Sequence, residues 1–244
     1  MTYKATEVPI WLRIPFIDSG YMLGNYTWLQ AMTTWHNETV NAWTMVFSLA
    51  LGTVMFAKYS TWPCVLLWLA QVLHHPVSIA YHTLKGRSQQ AWIYWRNLDL
   101  TLILIMNVLL TLAFSWRIWG CTGALITTSI IVWIAFIGIQ EIHKGAPDCK
   151  RILKLIGMCA MGYYIPVVYR AIAGCMAGET WSSPAVIGAI GMLLCHTVAG
   201  LLYATKWPER AFPGTLCTLG TSHNALHVLL FVIFNYGYYY LSVI

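Results

Sequence analysis

The sequence is 244 residues long, with 59% hydrophobic residues and only 9% Asp, Glu, Lys or Arg. A soluble domain carries about 25% charged residues, so this chain has too few to cover a water-facing surface and is read as integral to a membrane. Its net charge of +6 comes without a basic stripe interleaved with aromatics, which excludes a nucleic-acid surface and assigns the cations to loops beside an anionic leaflet.

A helix needs about 20 mostly apolar residues to cross a hydrocarbon core roughly 30 Å thick. Residues 1–36 do not supply them. They carry Pro9, Pro15, Trp11, Phe16, Tyr21, Tyr26 and Trp28, a composition suited to a cytosolic segment on the membrane surface, with a short amphipathic helix near 26–35. The segment lacks a cationic start followed by an apolar core and a small-residue cleavage site, so no cleaved signal peptide is expected.

Residues 37–244 are expected to form one all-α domain, a seven-transmembrane helix bundle. Its spans are placed at 38–58, 60–84, 98–116, 118–140, 152–175, 181–205 and 221–242. The second holds three histidines and no acid, Lys or Arg, and the fifth is interrupted only by Arg170. No linker rich in Ser and Pro and no internal repeat divides the chain. Seven cysteines are scattered without a CxxC pair; most are read as small packing residues, and only Cys121 and Cys175 fall near the outer ends of helices, where a disulfide could form.

Lys and Arg of short loops mark the cytosolic side. Lys4 and Arg13 precede the first span, and Lys85, Arg87 and Arg96 separate the second from the third. Lys144, Lys150, Arg151 and Lys154 follow the fourth, and Lys206 and Arg210 follow the sixth. Only Lys58 and Arg117 fall on the other side, so the N-terminus is expected in the cytosol and the C-terminus outside or in a lumen. Asn25-Tyr-Thr27 and Asn37-Glu-Thr39 match the glycosylation pattern, and in this orientation neither is modified.

Ionisable groups inside a membrane are costly, which makes them the first candidates for function. His82 lies about one turn from the cytosolic end of the second span, Asp99 sits at the cytosolic start of the third, and Ser222, His223 and His227 open the seventh. Residues i and i+4 share a helix face with Cβ atoms about 5–6 Å apart, so His223 and His227 can meet at one ion. With His82 they form a three-imidazole set suited to Zn²⁺, and three protein ligands with an open fourth position is the catalytic pattern. Asp99 and Ser78, one turn before His82, are then placed to orient a water or to stabilise developing charge. The competing reading is that the His pair only packs. His74, His75 and His196 are read as buried packing or hydrogen-bonding residues, Arg170 as snorkelling outward, and Glu38 with Asn41 as capping or helix contacts.

Gly20-Tyr21, His36-Asn-Glu-Thr-Val-Asn-Ala-Trp-Thr44, Ser78-Ile-Ala-Tyr-His82-Thr, Asp99, Pro208-Glu-Arg-Ala-Phe-Pro-Gly214 and Ser222-His223-Asn-Ala-Leu-His227 run through nearly the whole chain. Together they resemble the progestin and adipoQ receptor family, which includes adiponectin receptors, membrane progestin receptors and haemolysin III-like proteins. Pro76-Val-Ser78 before Tyr81-His82 and the short tails resemble the family's small fourth vertebrate member more than the adiponectin receptors. The resemblance implies a receptor-like seven-helix fold, Zn²⁺ near the cytosolic face held by His82, His223 and His227, Asp99 and Ser78 beside it, and a ceramide-hydrolysing activity. Two departures stand out: Leu216-Cys217 replaces the usual Phe-Asp, and Lys85-Gly-Arg-Ser88 replaces a Cys-His-Ser.

Two functions stay open at this point, a zinc-dependent lipid amide hydrolase coupled to lipid or hormone signalling and a non-enzymatic receptor whose zinc is structural. The expected partners are membrane lipid, ceramide or another sphingolipid, or a steroid-like ligand, and self-association is compatible with the sequence. The expected location is the plasma membrane or a Golgi or ER membrane.

Overall fold

The computed structural model describes residues 2–144 and 147–244, so the first residue of the expected surface segment lies outside the described residues. Two short 3-10 turns precede seven α-helices: α1 Trp28–Thr33, α2 Thr39–Lys58, α3 Trp62–Leu84, α4 Gln89–Ile142, α5 Cys149–Met176, α6 Pro184–Thr205 and α7 Ser222–Val243. Among the described residues the only extended pairing is an isolated bridge between Tyr3 and Tyr21.

Six of these helices, α2 to α7, are long and apolar enough to cross a membrane. The expected third and fourth spans run together in α4, whose 54 residues would reach about 80 Å at 1.5 Å per residue. Gly120 interrupts it with φ 70° and ψ −167°, a backbone region essentially reserved for glycine. The break therefore falls a few residues after the expected one at 117. The helix also starts earlier than expected, at Gln89, because Ser88 Oγ accepts from Ala91 N at 3.1 Å and supports the first turn. Arg96, expected as a loop cation, instead continues the helix with its guanidinium 5.4 Å over the Trp92 ring. The short helix expected within 26–35 is α1, where Thr27 and Gln30 cap each other reciprocally at 3.1 and 2.7 Å.

The chain divides into two units. The first gathers Met1–Ser48, His75–Asp99 and Cys195–Val232. Its N-terminal segment is built into a small core of Val8, Leu12, Ile17, Tyr21 and Cys217, with Trp11 and Trp92 packed against it. The Tyr21 hydroxyl accepts from Ile14 N at 2.8 Å and donates to Ile17 O at 2.9 Å. Phe16 O accepts from Gly214 N at 3.0 Å, and Trp35 Nε1 donates to Thr218 Oγ1 at 3.0 Å, so the loop before α7 is tied to this segment. At the turn after α3, Gly24 N donates to Gly86 O at 3.1 Å and Arg87 Nε to Tyr26 O at 2.9 Å.

The second unit gathers Leu49–His74, Leu100–Leu194 and Ile233–Ile244. Leu104, Ile131, Ala135, Ile142, Ile152 and Cys159 form its buried cluster. A Cβ at Gly162 would stand 2.5 Å from Ile131 Cγ1, so the missing side chain is what lets α5 approach, as at small-residue contacts between membrane helices. Tyr238 Oη donates to Gln71 Oε1 at 2.6 Å, pairing two buried polar groups of α7 and α3 with each other, as a hydrocarbon surrounding requires. Arg170, expected to snorkel outward, is ion-paired at 2.7 Å with Glu179, beyond the end of α5. All seven cysteines are free thiols.

Candidate metal centre

The start of α7 is organised by three accepting side chains, those of Thr221, Asn224 and Glu209. Thr221 and Asn224 cap each other: Asn224 N donates to Thr221 Oγ1 at 3.1 Å and Thr221 N to Asn224 Oδ1 at 3.3 Å. Glu209, buried in the preceding loop, accepts from Ser222 N at 2.7 Å and from Ser222 Oγ at 2.5 Å. Two of the N–H groups that a helix start leaves unpaired, those of Ser222 and Asn224, are thereby satisfied, and the residue between them, His223, is presented in a defined orientation.

One turn separates His223 from His227, and their Nε2 atoms stand 3.2 Å apart. His82, near the end of α3, brings its ring centroid to 5.2 Å from that of His223 and 4.7 Å from that of His227. One ligand atom from each of the three residues lies within 4.8 Å of the others. Tetrahedral nitrogen ligands at about 2.0–2.1 Å from Zn²⁺ stand about 3.3 Å apart, so the His223–His227 spacing fits and the third ring needs a shift of at most about 1.5 Å. Tyr203 of α6 completes the surroundings, its ring 5.4 Å from that of His223, with the Lys206 ammonium 3.7 Å over the tyrosine.

The donor set has a carboxylate behind it. His82 Nδ1 lies 2.7 Å from Glu38 Oε2, which directs Nε2 of that ring away from Glu38 and leaves it to serve as the ligand atom. The same Oε2 accepts from Asn41 Nδ2 at 2.7 Å, and Asn41 Oδ1 accepts from Asn224 Nδ2 at 2.8 Å, so one hydrogen-bonded line joins α7, α2 and the histidine of α3. Glu38 Oε1 is paired with the Lys85 ammonium. Lys85 and the His82 ring thus stand on opposite oxygens of a carboxylate that is almost wholly buried. Burial alone would lower the Lys85 ammonium, and the Glu38 carboxylate reverses this and raises it.

His82, His223 and His227, singled out in the sequence, are thus brought together. Ser78 is buried one turn before His82, and Asp99 is buried in α4. Asp99 is not a member of the three-residue ligand group. His75 is hydrogen-bonded as expected, its Nε2 3.0 Å from Ser48 Oγ, and His74 is buried. Sequence reasoning misses the centrality of Glu38, Lys85 and Glu209. Lys85 reads as a loop cation, yet it is only 8% exposed. The signal for the pair is slight: an acid among other helix-end polar groups and a cation three residues after His82, separated by 47 positions of chain.

Residues 33–236 match the family described as haemolysin-III related. The chain is 22% identical to membrane progestin receptor beta of Mus musculus, covering 95% of this chain and 72% of the relative. It is 24% identical to membrane progestin receptor alpha-B of Danio rerio and 24% identical to membrane progestin receptor alpha of Homo sapiens, each over 94% of this chain and 72% of the relative. The resemblance read from the motifs is borne out.

Proposed function

The chain belongs to the haemolysin-III-related family, and from that premise we propose that it is a seven-span membrane protein that holds Zn²⁺ through His82, His223 and His227 and hydrolyses the amide bond of a ceramide-like lipid. The observation that carries this reading is the convergence of three imidazoles from α3 and α7, with the Nδ1 of His82 tied to a buried carboxylate. The donor chemistry suits zinc, and a set of three protein ligands leaves the fourth position to water or substrate.

When bound, Zn²⁺ supplies polarisation of the amide carbonyl and lowers the pKa of a water toward about 7. Glu38 keeps the His82 ring in one tautomer and one orientation. Asp99 takes the proton of the water that attacks the carbonyl carbon and returns it to the amide nitrogen as the C–N bond breaks, so that the sphingoid base leaves as an amine and the acyl chain as a carboxylate; Ser78 Oγ donates a hydrogen bond to the oxygen on which charge develops. An open groove of about 550 Å³, lined by Leu201, Leu202, Thr205, Trp207, Arg210 and Ala211, suits an acyl chain and adjoins the turn of α6 that carries Tyr203. On this reading the two limbs of α4, divided at Gly120, are two spans of seven, and the cation asymmetry of the loops supports a cytosolic N-terminus.

Elemental analysis of the purified protein is expected to give one zinc per chain, with large loss in His82→Ala and His223→Ala, and the parent is expected to release sphingosine from a fluorescent ceramide. Zinc at full occupancy with no turnover of any sphingolipid would leave the metal centre standing and remove the hydrolase.

A second reading is favoured by the names of the relatives, membrane progestin receptors. Here the metal ties α3 to α7 while a steroid-like ligand shifts their packing. A His82→Ala protein, rescued by a stabilising mutation, that still responds to progestin would select this reading over the first.

A further inference from the structure

We propose that Lys85 is a positioning residue of the metal centre: by occupying one oxygen of Glu38 it reserves the other for Nδ1 of His82, and so aims Nε2 of that ring at His223 and His227. The proposal rests on the metal reading given above and deepens it.

Three donors share two carboxylate oxygens. Lys85 takes Oε1, whereas His82 and Asn41 both reach Oε2, each at 2.7 Å. A carboxylate with one donor fewer can turn about its last torsion and offer either oxygen, and the ring bonded to it then follows. Occupying Oε1 with a cation closes that freedom. The cation is committed to this task, because a buried ammonium is costly unless paired and Lys85 is almost wholly buried. The ring of Tyr81, the residue before His82, also faces the ammonium, 5.0 Å from Nζ, and holds it on the same side of the turn.

The backbone that carries Lys85 is fixed without help from its side chain. Gly86 O accepts from Gly24 N, and Arg87 Nε donates to Tyr26 O. A Cβ at Gly86 would meet Tyr26 Oη at 2.8 Å and would run into the Met22 carbonyl, so the turn is seated against the N-terminal segment. Gly86 and Arg87 dock the turn, and Lys85 uses that docking to reach Glu38.

The test uses the full chain in detergent, with Zn²⁺ affinity measured by chelator competition, Co²⁺ absorption as a report on ligand geometry, and thermal melting of the metal-free protein. Lys85→Met is expected to weaken zinc by about 10- to 100-fold, the range for partners that orient a ligand, and to alter the Co²⁺ spectrum, with a lower metal-free melting temperature because the buried Glu38 carboxylate loses its counter-ion. Lys85→Arg, which keeps the cation, is expected to restore most of the affinity. In a Glu38→Gln background, removing Lys85 is expected to add no further loss, because the two act through one route. A parent that binds zinc together with a Lys85→Met protein of equal affinity overturns this inference and leaves the metal reading intact. A parent that takes up no zinc overturns both. If Lys85→Met does not fold, the double variant Glu38→Gln/Lys85→Met decides, since it balances the charge: affinity clearly below that of Glu38→Gln alone overturns the proposal, and equal affinity supports it.

Discussion

At Gly86 a missing side chain decides how the first unit is closed. Alanine there would press on the Met22 carbonyl and the Tyr26 hydroxyl, and because one of these is backbone the neighbour has little room to give. We expect Gly86→Ala to cost about 1–3 kcal/mol, the range for overpacking a tight contact. The signature is release of the N-terminal segment, read as faster limited proteolysis between residues 3 and 26 than in the parent. The three histidines are legible at this scale because an i, i+4 pair and a shared depth in the membrane are properties of spacing alone. Glu38 is not legible as their support. It stands 44 positions before His82, and nothing in the local pattern distinguishes a carboxylate that caps α2 from one that holds an imidazole. Lys85 is misread for a related reason, since loop cations are ordinarily solvated and only the fold shows this one turned inward.

Among the elements, α7 depends on a residue outside itself. Removing the carboxylate in Glu209→Ala would strand the buried N–H and hydroxyl of Ser222, at a cost of about 1–3 kcal/mol. The measurements are a lower melting temperature and, on the metal reading, weaker zinc uptake, because His223 follows directly. Glu209→Gln, which keeps one acceptor, is expected to fall between. In α4, nothing lies within 4 Å of the place a Cβ would take at Gly120, whose φ is positive, so Gly120→Ala reports backbone strain alone, about 1–3 kcal/mol by thermal melting. The apolar runs disclose these helices, since charge spacing sets where lipid ends. Their ends are less legible: α4 extends back to Gln89 because a helix continues through interfacial cations such as Arg96 wherever a cap and an aromatic face support it.

For the whole molecule, the expected orientation follows from eleven of the 14 Lys and Arg falling on one side of the expected spans. An epitope placed after Ile244 is expected to be reached by antibody without permeabilising a cell, or to be shielded from protease in sealed vesicles if the protein resides internally, while Asn25 stays unglycosylated. A glycan on Asn25 would reverse the orientation. The family is legible because its motifs lie at helix ends, where chemistry restricts the choice of residue, whereas the exposed apolar surface of Leu125, Ile130 and Trp133 carries no comparable signature. The two ring nitrogens of α7 stand 3.2 Å apart, a distance that one N–H can bridge when a chelator has removed the cation. Dialysis against a chelator should therefore yield an intact, reloadable protein with unchanged circular dichroism, unlike small zinc modules that denature when stripped.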